Sequence, residues 1–115
     1  MKKTKEADLN QMCVNFAGKY VDERLKGGTM IERSLAVNSL AHGFYMGFKH
    51  HEKSSRYAWL KLVNSRIGTE DWLLNHSIKA ANYYLKKMGY SKLDWSEQAY
   101  IRALVSTGFR QGYRS

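Results

Sequence analysis

Apolar residues recur at three- and four-residue steps along the whole chain, and nowhere do they alternate over the length of a strand. That period lines side chains along one face of a helix, so the chain can bury its apolar material only by packing helices together. No proline interrupts the pattern, and the glycines fall mostly where helices would stop. The expectation is an all-α, compact bundle of about five helices forming one domain over residues 1–115, with residues 1–5 as a loose basic tail.

The first helix is predicted over residues 6–26, with Met12, Phe16, Tyr20 and Leu25 on its apolar stripe and Gly27-Gly28 as its stop. Thr29-Met30-Ile31-Glu32 then has the pattern of a capping box, in which the threonine and the glutamate each bond a free amide, and a second helix runs to about His51. Ser54-Ser55 starts a shorter third helix through Trp59, Leu62 and Val63, stopped at Gly68. Thr69 caps a fourth, whose stripe is Leu74, Ile78, Ala81, Leu85 and Met88, expected to pack against the first and fifth helices. Gly89 ends it, and Asp94-Trp95-Ser96-Glu97 repeats the capping pattern ahead of the fifth.

The two caps lie 65 residues apart, and at the same offset Gly43-Phe44-Tyr45-Met46-Gly47-Phe48-Lys49 aligns with Gly108-Phe109-Arg110-Gln111-Gly112-Tyr113-Arg114. This points to two pseudo-repeated helical hairpins joined by a central helix, although chance likeness between amphipathic helices accounts for a match this short equally well. A glycine inside a helix costs about 1 kcal/mol relative to alanine, so the spacing needs a reason. Glycines four apart share a face and let another backbone approach, which places Gly43, Gly47, Gly108 and Gly112 at a contact between the second and fifth helices, within one chain or across a homodimer.

Several classes are excluded by what the sequence lacks. There is no apolar run near membrane-spanning length, and Met1-Lys2-Lys3 is not followed by the apolar segment of a signal peptide, so a cytoplasmic protein is expected. The lone Cys13 fits a reducing compartment and reads as a small core residue. His42, His50, His51 and His76 have no pair at the three- or four-residue spacing of helix-borne metal ligands, and His50-His51-Glu52 reads as an exposed helix end. No carboxylate cluster, activated nucleophile or phosphate-cradling loop is present, so neither catalysis nor a cofactor is expected.

The net charge is +9, of which residues 53–115 supply +7. The four acids of that half, Glu70, Asp71, Asp94 and Glu97, all sit where a helix begins and a carboxylate answers the helix dipole. Basic and aromatic residues interleave on the remaining faces: His76, Lys79, Tyr83, Lys86 and Lys87 on the fourth helix, with Tyr90 and Lys92 beyond it, and Arg56, Lys61 and Arg66 on the third. Arg102, Arg110 and Arg114 fall within about 120° of arc on the fifth. Such a face neutralises phosphates while exposed tyrosines stack on unpaired bases, so DNA or RNA is the expected partner. The same residue types build protein interfaces, and the competing expectation is a regulator or inhibitor, such as a phage or mobile-element accessory factor, docking on an acidic partner. A helix-turn-helix through Arg66-Ile67-Gly68-Thr69 is the weaker reading, because Trp72 is bulky for groove entry.

Overall fold

The computed structural model describes residues 5–55 and 69–115. These form four α-helices, α1 (Glu6–Arg24), α2 (Met30–Ser55), α3 (Thr69–Lys87) and α4 (Trp95–Arg114), with a 3-10 turn at Tyr90–Lys92 and no strand among the described residues. Among the described residues the architecture is therefore all-α, with four helices. Ser54-Ser55, expected to open a third helix, instead belong to the last turn of α2, which runs beyond His51. The remainder of that expected helix and residues 66–68 of the helix-turn-helix turn lie outside the described residues, and Thr69 is the first residue of α3.

Local chemistry sets the helix ends. The Glu32 amide donates to Thr29 Oγ1 at 3.2 Å and the Glu97 amide to Asp94 Oδ1 at 2.8 Å, so both caps form. The Thr29 hydroxyl itself donates to the Glu32 carboxylate at 3.0 Å, a side-chain bond in place of the expected return bond to an amide. Gly27 and Gly89, just past α1 and α3, adopt φ of 91° and 73°, a left-handed backbone that glycine tolerates best.

The centre of the molecule is the contact of α2 with α4. A Cβ added at Gly43 would lie 2.2 Å from the Val105 carbonyl oxygen, and one at Gly47 2.0 Å from that of Phe109. From the other side, a Cβ at Gly108 would lie 2.3 Å from the Leu40 oxygen and one at Gly112 2.0 Å from that of Phe44. No side chain fits at those distances, so backbone meets backbone. The contacts advance along both helices in the same sense, which makes α2 and α4 parallel where they meet. α1 lies antiparallel to α2, with Glu6 near Lys49 and Asp22 near Arg33, and α3 lies antiparallel to α4, with Asn82 bonded to Arg102.

Two apolar stripes are displaced from their expected positions. In α1 the fully buried row is Leu9, Cys13, Ala17 and Val21, while Phe16, Tyr20 and Leu25 pack around it as partly buried flanks. In α3 the buried row is Leu73, Ser77, Ala81, Tyr84 and Leu85, whereas Leu74, Ile78 and Met88 are 40%, 38% and 42% exposed. That row packs against Ile101 and Val105 of α4, with Leu35 and Met46 of α2 alongside, so α2 takes the place expected of the first helix. The physical reason is shared by both helices. Closely packed helices put small side chains on the line of contact and larger ones beside it, and Cys13, Ala17, Ser77 and Ala81 are the small ones. Ser77 is accommodated because its hydroxyl donates to the Leu74 carbonyl at 2.7 Å, leaving its lone pair to accept from Ser106 Oγ at 2.6 Å.

Candidate nucleic-acid interface

The expected basic residues divide among three places. Lys79, Tyr83, Lys86 and Lys87 are exposed on α3, where they span about 100° of an ideal helix, and the Lys87 ammonium lies 5.9 Å from the Tyr83 ring centre. Arg102 borders this face, its Nε donating to Asn82 Oδ1 at 3.0 Å. No carboxylate occurs between residues 72 and 93, so α3 itself brings only positive charge to this face, with Glu6 of α1 at the edge of the neighbouring groove. Arg110 lies elsewhere, in a groove shared with α1, and Arg114 is exposed at the end of α4. Arg56, Lys61 and Arg66 lie outside the described residues.

His76 is not an exposed member of the basic face. It is half-buried in a cluster of rings at the end of the bundle where α2 and α4 finish and α3 begins. The His50 ring sits at the middle, with centroid distances of 4.9 Å to His76, 5.6 Å to Trp72, 5.7 Å to Phe109 and 6.0 Å to Tyr113. Trp72 and His76 are themselves 4.3 Å apart. His50-His51-Glu52 is thus half-buried, not the exposed helix end its polarity predicts. Burial first, then the charges of His76 and Lys53, hold the His50 imidazole below its usual range. Burial and Lys79 do the same to His76. Both rings are therefore neutral near pH 7 and behave as flat, weakly polar packing groups. Among the described residues no three His, Cys, Asp or Glu side chains converge on a position for a metal ion. The signal missed in the sequence was the four-residue spacing of Trp72 and His76, which puts both on one face of α3.

Two grooves flank the central helix pair. One, of about 420 Å³, lies between α1 and α4 and is lined by Phe16, Lys19, Tyr20, Glu23, Arg24, Thr107, Arg110 and Gln111. The Arg24 guanidinium stands 5.2 Å from the Tyr20 ring centre, and Arg110 Nε donates to the Ser106 carbonyl at 3.3 Å. The other, of about 680 Å³, opens between α1, α2 and α3, with His42, Tyr45, Tyr83, Tyr84 and Lys87 on its walls and Glu6 at its edge. The Glu6 carboxylate is engaged by the Lys49 ammonium at 3.1 Å and by the Tyr45 hydroxyl. His42 stacks near Tyr84 with centroids 5.3 Å apart, and burial, then Lys87, keep it below the usual imidazole range.

No protein-family model, curated protein or solved structure matches the chain, so the site is read from its own chemistry. No helix among the described residues is long and apolar enough to cross a membrane.

Proposed function

We propose that the chain is a non-enzymatic nucleic-acid-binding accessory protein that grips phosphates with the outer face of α3. The observation that carries this reading is the exposure of Lys79, Tyr83, Lys86 and Lys87 on one side of a helix whose sequence from residue 72 to 93 holds no acid. A surface that only kept the protein soluble would mix both signs, whereas a single-sign face focuses potential toward a polyanion. Tyrosine among the lysines adds a ring on which an unpaired base can stack. Fluorescence anisotropy against a 30-nucleotide strand and a duplex of the same length tests it. Binding at low salt that is lost in Lys79→Glu/Lys86→Glu supports the reading, and unchanged binding by that variant removes the face from it.

A second reading is favoured by one observation. Met30 and Ile31 begin α2, Trp95 begins α4, and they are 85%, 82% and 81% exposed. Because α2 and α4 are parallel, all three stand toward one end of the molecule. Large apolar groups exposed in this way are typical anchors of a protein interface, so this end serves the regulator reading, with an acidic protein as partner.

The fold itself is best read as two related hairpins, α1–α2 and α3–α4. Residues 64 apart match in the first helix of each: Leu9, Cys13, Ala17 and Val21 against Leu73, Ser77, Ala81 and Leu85, all buried. Residues 65 apart match in the second: Ala36, Ser39, Leu40 and Phe44 against Ile101, Leu104, Val105 and Phe109, again all buried. The glycine contacts exchange under the same offset, since Gly43 meets Val105 and Gly108 meets Leu40, while Gly47 meets Phe109 and Gly112 meets Phe44. This is the reciprocity of a two-fold axis running between α2 and α4.

A further inference from the structure

The two grooves are related by the same offsets. Lys19, Tyr20 and Glu23 of α1 line the first, and the residues 64 further on, Tyr83, Tyr84 and Lys87 of α3, line the second. The facing wall of the first is Thr107, Arg110 and Gln111, and the residues 65 earlier, His42, Tyr45 and Met46, face the second. Each groove therefore sits where the first helix of one hairpin leans on the second helix of the other. The cations are not themselves related by the offsets, since Arg110 answers Tyr45 and Lys87 answers Glu23, but each groove has a tyrosine surface with a cation near a ring, Arg24 at 5.2 Å from Tyr20 and Lys87 at 5.9 Å from Tyr83. In the first groove Lys19, Arg24 and Arg110 outnumber Glu23, and in the second the acid Glu6 is already engaged by Lys49. Both volumes lie within the range of about 300–1,000 Å³ usual for ligand clefts.

We propose that these grooves are two pseudo-symmetric subsites, each holding an unpaired nucleobase against its tyrosine with the attached phosphate on a rim cation. One chain then engages two points of single-stranded nucleic acid, or two strands at once. Arg110 acts in the first subsite and Lys87 in the second, which accounts for basic residues lying on opposite sides of the molecule. A base in a groove exchanges water for a ring face, and a cation on the rim of the groove supplies the phosphate contact.

The inference rests on the nucleic-acid reading, and calorimetric titration with pentathymidylate at low salt separates the two. Two equivalents per chain are expected, falling to one in Arg110→Glu, to one in Lys87→Glu, and to none in the double variant. Tyr83 is well exposed, so Tyr83→Ala folds normally and weakens its own subsite by about tenfold or more. Thymidine monophosphate in a parallel arm distinguishes a free nucleotide from a strand: competition at both subsites at micromolar concentration assigns them to nucleotides, and its absence to strand segments. A single equivalent, or two that survive Arg110→Glu, overturns the paired subsites while leaving the α3 face intact. Failure of the pentamer, a long strand and a duplex to bind at all overturns both.

Discussion

One methyl group added at Gly18 and at Gly47 has opposite consequences. A Cβ at Gly18, inside α1, meets nothing within 4 Å, so Gly18→Ala removes only the helix cost of glycine and stabilises by about 1 kcal/mol. A Cβ at Gly47 meets the Phe109 carbonyl, carbonyl carbon and Cα at 2.0–2.9 Å, so Gly47→Ala forces two backbones apart and costs roughly 1–3 kcal/mol or more. Urea melts of the two variants should move in opposite directions from the parent midpoint. The imidazoles give a second residue-scale expectation. His50 and His76 are depressed in the folded chain, so below the ordinary value of about 6.5 the unfolded chain binds more protons than the folded one. Their contribution is present in full above that pH and is lost as pH falls through it toward the folded values. The melting temperature should therefore drop between pH 7.5 and 5.5, and His50→Phe, which keeps the ring and removes the proton site, should flatten that limb. A parent melting temperature that does not move over this range would contradict the neutral pairing of the two rings.

Among the elements, the helix ends and the central contact were legible in the sequence because they depend on backbone chemistry. Thr29, Asp94, Gly27 and Gly89 stop or start a helix wherever they stand, and glycines four apart advertise a close approach. Replacing the cap in Thr29→Ala should cost about 1 kcal/mol, read as a lowered melting temperature and loss of helical ellipticity. The choice of buried row was less legible, since it depends on how near the neighbouring helix comes. Large residues such as Phe16 and Leu74 mark the apolar half of a helix, but only the approach distance decides that Cys13, Ala17, Ser77 and Ala81 form its centre. The ring cluster was hidden for a similar reason. His50 looks like a polar helix end until Trp72, His76 and Tyr113, distant in sequence, close over it. Arg102, Arg110 and Arg114 share an arc on α4, yet the neighbours of that arc differ, and Arg102 turns to α3 while Arg110 joins α1.

For the whole molecule, the central proposal is that the bundle binds phosphates through the basic face of α3. Long-range attraction to a polyanion has a signature that a contact with an acidic protein surface does not share, because binding to duplex DNA releases condensed counterions in proportion to the phosphates neutralised. Each such contact contributes close to one unit to the slope of log affinity against log salt. The deciding measurement is an anisotropy titration of the parent chain and of Lys86→Ala/Lys87→Ala with one duplex across a series of salt concentrations. A steep, linear fall is expected for the parent and a slope smaller by about two for the variant. No binding at low salt, or a slope that the variant leaves unchanged, would contradict the proposal.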